Sequence, residues 1–234
     1  MDTLYIVMPA YNEEANIEAT VKQWYPVLKN GGEKSKLIIA DSGSIDRTHA
    51  ILNDLKKQYT QLDILTDTDK QHGPKLMALY SYAISEGADW IFQTDSDGQT
   101  NPEEFKEFWD DRNNYDCIIG NRSTRGDGVS RLLVEKVVCF MLMVIFGVRV
   151  PDANAPFRLM KSRVLEKYMC KLPDNYNIPN IMFTTFFSYY NENIDFRKIS
   201  FLPRQGGKNS INLKKIIGIG WMALGDFIRI RKSL

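Results

Sequence analysis

Short apolar runs alternate along the chain with stretches in which apolar residues recur every three or four positions. Leu4 to Met8, Leu37 to Ala40, Leu62 to Leu65, Trp90 to Thr94 and Cys117 to Gly120 read as buried strands. Between them, Ile17, Val21, Trp24 and Leu28 predict a helix over Glu13 to Leu28. Ile51, Leu52 and Leu55 predict a second helix with Asp46 as its cap, and Leu76, Leu79, Tyr80 and Ala83 a third. Strands separated by helices of this length imply right-handed βαβ units, hence an α/β fold with a mostly parallel, Rossmann-like sheet flanked by helices. The second half is less regular. Val134 to Val148 reads as a buried helix, Ser162 to Lys171 and Ile181 to Tyr190 as helices, and Phe157 to Met160 and Phe196 to Phe201 as strands. No repeat, low-complexity tract or linker interrupts the pattern. Residues 1–212 are therefore expected to form one domain, with 213–234 as a terminal helix.

Composition narrows the functional classes. The 234 residues are 44% hydrophobic and 25% charged, ordinary for a globular protein with a full core. A net charge of +1 gives no reason to expect a nucleic-acid partner. Cys117, Cys139 and Cys170 form neither a disulfide framework nor a zinc spacing, which suits a reducing compartment. The chain starts directly on a strand without a leader pattern, and its apolar runs at Val137 to Val148 and Ile216 to Gly225 are too short to span a bilayer. A cytoplasmic location follows, with the cytoplasmic face of a membrane as its variant. Charge is uneven, however. Leu213, Ile217, Trp221, Leu224 and Ile228 make an apolar stripe at helical spacing, with Lys214, Lys215, Arg229, Arg231 and Lys232 at its ends. Such a helix suits an anionic membrane surface, its own domain or a second subunit of a homo-oligomer.

Candidate chemistry lies where strands end. Trp90 to Thr94 runs into Asp95-Ser96-Asp97-Gly98-Gln99, followed by Thr100-Asn101-Pro102. Ligands of open α/β sheets bind at the C-terminal edge of the strands, and hard oxygen ligands there suit Mg²⁺ or Mn²⁺ bridging to phosphates. Strand one ends in Pro9-Ala10-Tyr11-Asn12-Glu13-Glu14, and strand two in Asp41-Ser42-Gly43-Ser44-Ile45-Asp46. Three polar loops on one edge form one crevice. Asp67-Thr68-Asp69 also follows an apolar run but lacks the Gly-Gln continuation and reads as a loop. Asp69, or Lys75 after Gly73-Pro74, is placed to edge the crevice, although Lys75 would serve equally as a solvated first-turn lysine. His49 and His72 read as structural or exposed.

These motifs, in this order and spacing, resemble family 2 glycosyltransferases, which have the GT-A nucleotide-diphospho-sugar transferase fold. The resemblance extends through Gly120-Asn121-Arg122 and Asp152-Ala153-Asn154-Ala155-Pro156-Phe157-Arg158 and covers roughly residues 3–210. The Asp-x-Asp-x-Gln form followed by Pro102 is similar to the polyprenyl-phosphate and dolichol-phosphate sugar transferases. The resemblance implies an inverting, metal-dependent hexosyltransferase using a UDP- or GDP-sugar. Pro9, Tyr11 and Glu13 would line the base and ribose pocket, and Asp41 would bind the base. Lys75, Arg204 and Lys208 would serve the donor. Asp95, Asp97 and Gln99 would hold Mg²⁺ or Mn²⁺ against the diphosphate. Arg122 and Arg131 would take the acceptor phosphate, and Asp152 would face sugar and acceptor as a catalytic carboxylate. The chain has Asn154-Ala155-Pro156 where the lipid-acceptor relatives often read Thr/Ser-Ser-Gly, so a lipid phosphate and a glycan both stand as acceptors.

Two other classes compete. A nucleotidyltransferase would carry a Gly-rich basic loop near its N-terminus, whereas Pro9 to Glu14 is acidic and lacks Gly. A non-catalytic nucleotide-sugar-binding module would be expected to have lost Asp95 or Asp97, and both are present.

Overall fold

The computed structural model describes residues 1–125, 129–203 and 213–234, with side chains at 1–122, 132–203 and 223–234. Strands β1 (Leu4–Ala10), β2 (Lys36–Asp41), β3 (Leu62–Leu65), β4 (Trp90–Thr94), β5 (Cys117–Arg125), β6 (Phe157–Lys161) and β7 (Ile194–Phe201) form one sheet in the order β3-β2-β1-β4-β6-β5-β7. β6 runs antiparallel to both of its neighbours, and all other pairs are parallel. The order turns back between β2 and β4 on either side of β1, which opens a crevice at the C-terminal edge. β4 pairs with β1 only over Leu4–Val7, so the two strands part beyond Val7.

Helices α1 (Ile17–Trp24), α2 (Thr48–Lys56) and α4 (Phe105–Asp110) cover one face of the sheet, and α3 (His72–Ser85), α5 (Val129–Phe146), α6 (Ser162–Met169), α7 (Pro179–Tyr189) and α8 (Leu213–Ser233) belong to the other. Alternation along β1 feeds both cores: Leu4, Ile6 and Met8 point to the first, Tyr5 and Val7 to the second. Behind β4, Phe92 lies 5.2 Å from Trp24, 4.8 Å from Phe105 and 4.7 Å from Phe157 between ring centres. Aromatic pairs at such distances add to area burial and fix the strand that carries Asp95.

Three expectations need correction. The helix read over Glu13 to Leu28 is α1 alone, continued by a 3₁₀ segment, Tyr25–Asn30, in which Pro26 cannot donate a backbone hydrogen bond. Asp46 lies one residue before the N-cap of α2, yet its carboxylate accepts from the Thr48 N–H at 2.9 Å. The helix read as buried over Val134 to Val148 is α5, and it is buried on one side only. Leu142 and Phe146 face the core, whereas Leu133, Val137, Phe140 and Val144 face outward. A run that is apolar all round carries no periodicity from which the outward side could be read.

Candidate active site

Two loops are joined at the crevice by a set of hydrogen bonds. Asn12 adopts a left-handed φ of 55°, and its side chain accepts from Ile45 N at 2.8 Å while its own N–H donates to Ser44 Oγ at 3.0 Å. Glu13 N donates to Thr48 Oγ1, and Glu14 exchanges bonds with Asp46 and Arg47. Glu13 itself is buried and accepts from Asn16 Nδ2 at 2.9 Å. The loops after β1 and β2 thus form one wall, with Tyr11 exposed on it.

Asp41 lies at the end of β2, buried, with Ser44 Oγ at 2.5 Å and His49 Nδ1 at 3.1 Å. Lys75 is 1% exposed, so it is not a solvated lysine. Its Nζ donates to Ala10 O at 2.5 Å and lies 5.3 Å from the centre of the Tyr11 ring. Burial pulls its pKa down to about 8, opposed by the charges of Asp41 and Asp69. The short N-terminal turn that buries it needs Gly73, because a Cβ there would lie 2.3 Å from Asn177 O.

The loop after β4 forms the opposite wall. Ser96 Oγ donates to Pro9 O at 2.8 Å, and Thr20 Oγ1 donates to Ser96 O at 3.2 Å, which ties this loop to β1 and α1. Gly98 sits at φ 72°, a turn conformation that glycine adopts without steric cost. Asp97 accepts from Gln99 N at 3.1 Å. Gln99 Nε2 donates to Leu202 O at 2.7 Å, leaving the oxygen of that carboxamide as the atom of use to a cation. Asp95 terminates a buried run of hydrogen bonds. Tyr80 OH donates to Asn180 Oδ1 at 3.0 Å, Asn180 Nδ2 to Gln93 Oε1 at 3.0 Å, and Gln93 Nε2 to Asp95 Oδ1 at 3.3 Å. His72 Nε2 lies 3.4 Å from the same oxygen.

The donor set fits Mg²⁺ or Mn²⁺ chemically: two carboxylates and a carboxamide oxygen are hard ligands. Among the described residues no three His, Cys, Asp or Glu side chains gather closely enough to hold an ion alone. Such an ion would complete its shell with substrate oxygens and water, as magnesium at phosphate sites usually does.

β6 brings the remaining residues to the same edge. Because it is antiparallel, its first residue, Phe157, pairs with Thr94, the last of β4. The segment 152–156 therefore enters the crevice side. Arg122, on β5 beyond its pairing with β6, grips Asp152 with Nε and Nη2 at 2.8 and 2.9 Å. Glu135 of α5 accepts from Ala153 N at 2.7 Å and lies 3.4 Å from Arg122 Nη2. Burial and the neighbouring Asp152 charge push the Glu135 carboxyl up. Burial opposes the charge on Arg122, yet the hydrogen bond and charge of Asp152 outweigh it and hold the guanidinium protonated. The Asp95 charge also acts on Arg122, so the two clusters share one field. Beneath them Arg158 is fully buried and donates to the carbonyls of Ala155 at 2.9 Å and Asn180 at 3.0 Å and to Thr184 Oγ1 at 3.3 Å.

Pro9, Tyr11, Asp41, Lys75, Asp95, Asp97 and Gln99 thus converge on one crevice, with Arg122 and Asp152 beside it. The Arg131 side chain, Arg204 and Lys208 lie outside the described residues. Sequence reasoning missed the contacts of His49 with Asp41 and of His72 with Asp95. A histidine at the very start of a helix gives no signal of which strand end it meets. Glu135 was hidden in the same way, inside an apolar helix.

The comparisons agree with this arrangement. Residues 5–169 match the sequence model described as Glycosyl transferase family 2. A polyprenol monophosphomannose synthase from Mycolicibacterium smegmatis is 25% identical over 178 residues, which is 69% of this chain and 63% of that protein. An undecaprenyl-phosphate 4-deoxy-4-formamido-L-arabinose transferase from Pseudomonas paraeruginosa is 23% identical over 167 residues, 71% of this chain and 49% of that protein. The chain thus spans between about half and two thirds of the length of these relatives. Among solved structures, glucosyl-3-phosphoglycerate synthase from Mycobacterium tuberculosis in complex with uridine diphosphate superposes with a TM-score of 0.69 at 17% identity, covering 99% of this chain and 80% of that one. The same enzyme in complex with Mn²⁺ and UDP-glucose gives 0.68 at 16% identity, covering 99% and 79%. The fold is therefore the GT-A nucleotide-diphospho-sugar transferase fold, and by its motifs, its sheet order and the match over 5–169 the chain belongs to glycosyl transferase family 2.

Proposed function

We propose that this protein is a metal-dependent, inverting glycosyltransferase that moves a sugar from a UDP- or GDP-sugar onto a polyprenyl phosphate. The observation that carries the reading is the convergence of Tyr11, Asp41 and Lys75 with Asp95, Asp97 and Gln99 across one crevice, with the Arg122–Asp152 pair beside it. The names of the two curated relatives, a polyprenol monophosphomannose synthase and an undecaprenyl-phosphate transferase, support the lipid phosphate.

In this reading Tyr11 offers its exposed ring to the base, and Asp41 accepts from a ring N–H. Pro9 and Glu13 shape the wall around the ribose. Asp95, Asp97 and Gln99 would hold a divalent ion, whose positive charge would stabilise the leaving diphosphate. The acceptor phosphate oxygen attacks the anomeric carbon from the face opposite the diphosphate, so configuration inverts as one C–O bond forms and the other breaks. A nucleophile that is already anionic needs little general-base help. Asp152 then acts through its grip on Arg122, orienting that guanidinium toward the acceptor phosphate and steadying positive charge at the anomeric carbon. Arg131 is a second acceptor ligand, and Arg204 and Lys208 are further donor ligands. Asp152→Asn should lower turnover by about a hundredfold, the scale for losing one preorganised electrostatic group. Its nucleotide affinity should stay unchanged by calorimetry. Undiminished transfer to the true acceptor would remove Asp152 from the mechanism.

Lys75 gives a pH signature. Its charge offsets the carboxylates around the donor and holds the Tyr11 wall, so nucleoside-diphosphate binding should weaken as pH rises through about 8. The limiting slope is about tenfold per pH unit. Lys75→Met should bind weakly at every pH and lose that break. Stability moves the other way. Because the folded pKa is depressed, the unfolded chain holds more protons between about 8 and the ordinary lysine value of 10.5, and this group's contribution favours folding as pH rises through that window. A pH-independent Kd in the parent protein would remove Lys75 from donor binding.

The overall test is a thermal-shift panel of nucleoside diphosphates and nucleotide sugars with and without Mn²⁺, followed by transfer assays. A ligand that binds only the folded state raises Tm by mass action. Transfer from the stabilising nucleotide sugar to a short polyprenyl phosphate is the expected result. Transfer to glycan acceptors alone would keep the enzyme and discard the lipid.

A further inference from the structure

Among the described residues, the outward side of α5 has no partner. Leu133, Val137, Phe140 and Val144 are 64%, 50%, 60% and 66% exposed, and they follow one another at helical spacing along a single stripe. Leu132 adds to it, so α5 supplies five of the ten large exposed apolar side chains among the described residues. Contiguous apolar patches of this kind mark interaction sites, whereas singly scattered ones do not. The inward side, two positions along from Leu133, Phe140 and Val144, carries Glu135, Leu142 and Phe146 and is buried.

Charge identifies the occupant. Lys136 is exposed within the stripe, and Glu135, the helix's acid, is turned inward to Arg122 and Ala153. Beyond the C-terminal end of α5 stands exposed Arg149, and Arg231 of α8 reaches that end itself, donating to Ile145 O at 3.2 Å. Exposed Lys232 and Arg229 follow, the latter paired with Asp226 at 2.6 Å. The described side chains along and beyond the stripe thus carry a cationic excess. Two copies paired through this face would bring mostly like charges together, since the one carboxylate among the groups just named, Asp226, is already paired with Arg229. An anionic bilayer offers both an apolar medium for the stripe and opposite charge for its border. No helix among the described residues is long and apolar enough to cross a membrane. The stripe spans about 16 Å at 1.5 Å per residue, which suits a helix lying in the interface plane.

We propose that α5 docks this protein on an anionic bilayer through Leu133, Val137, Phe140 and Val144. The surface differs from the apolar stripe expected on the terminal helix. The described half of α8 turns Ala223, Phe227 and Ile230 into the core and leaves Ile228 outward; the side chains of Leu213, Ile217 and Trp221 lie outside the described residues. Docking through α5 has a geometric corollary, since the same helix holds Ala153 and Arg122 with Glu135. Its lipid-facing and site-facing sides are one helix diameter apart, about 10 Å. This extends the lipid-acceptor reading but stands on separate observations.

Flotation of the full chain with phosphatidylcholine vesicles, with and without phosphatidylglycerol, tests the proposal. Binding should require the anionic lipid and fall with salt. Val137→Ser combined with Phe140→Ser should weaken it by at least about tenfold, because two large apolar side chains no longer enter lipid. Lys136→Glu should weaken it on the order of tenfold through reversal of one interfacial charge. All three side chains point outward, so the melting temperature should not change. Transfer to a water-soluble, short-chain polyprenyl phosphate without vesicles should also persist in both variants, which separates failure of docking from failure of the acceptor reading. Equal flotation of parent and variants would overturn the proposal. So would self-association of the parent that the double variant abolishes while neither floats.

Discussion

Asp97→Ala is expected to abolish Mn²⁺-dependent binding of nucleoside diphosphate and to lower turnover by about a thousandfold or more, since charge stabilisation at a transferring diphosphate is worth several kcal/mol. Asp97 stands at the tip of the loop after β4, where its carboxylate accepts from Gln99 N at 3.1 Å. Its removal therefore takes away both a negative ligand and the bond that shapes the Gln99 turn. Asp97→Asn separates the two, because the carboxamide oxygen still accepts from Gln99 N while the charge is gone. Asn should fold and melt like the parent and still fail to bind nucleotide with Mn²⁺. Gln99→Ala should weaken both properties less, because a neutral oxygen contributes less charge. Calorimetric titration with Mn²⁺ and with Mn²⁺ omitted gives the measurement. Tight, unchanged Mn²⁺-dependent binding in Asp97→Ala would mean that the ion sits elsewhere.

Arg158→Met should destabilise the fold while leaving the carboxylates of the site in place. Arg158 is fully buried, and its donors satisfy the carbonyls of Ala155 and Asn180 and the Thr184 hydroxyl. Methionine fills most of the volume but donates nothing. Asn180 O keeps its bond from Thr184 Oγ1 at 2.9 Å, so the acceptor left stranded is Ala155 O, and a loss of about 1–3 kcal/mol is expected. For a domain of this size that corresponds to a fall in Tm of roughly 2–12 °C. The bonds also fix Ala155 to α7, so the segment before β6 should loosen and turnover should fall even below the melting range. A variant that melts within a degree of the parent would show that water replaces the guanidinium.

Much of the first half was legible because its strands are short apolar runs, fully buried in β1 and β4, that end in polar loops. Leu62 to Leu65 and Trp90 to Thr94 have the bounds read from the sequence, and β1 and β2 extend one or two residues further. The strands whose partners are distant were legible as strands but not in direction. Nothing in Phe157 to Lys161 says that β6 enters between β4 and β5 against their sense, and that reversal is what carries Asp152 to the crevice. The crevice residues declared themselves by chemistry at strand ends. Lys75 declared itself less clearly, because a lysine after Gly-Pro reads equally well as solvent-facing unless the close packing of Gly73 against Asn177, where a Cβ would lie 2.3 Å from the carbonyl oxygen, is known. The pairing of Arg122 with Asp152 was equally hidden: both appeared as separate polar residues 30 positions apart.

The hydrogen bonds from Tyr80 to Asp95 all run in one sense, each group giving its proton toward the sheet edge. Aligned amides of this kind behave as a small electret, a polarisation set when the protein folds and carried without any net charge. Its positive end rests on Asp95. Neither amide can rotate alone, because a flipped Gln93 would set its NH₂ against that of Asn180 and its oxygen against the carboxylate. The N–H presented to Asp95 is thus fixed by side chains buried behind it, and a change at Asn180 on α7 would be felt at the crevice as a loss of that donor's direction rather than of shape.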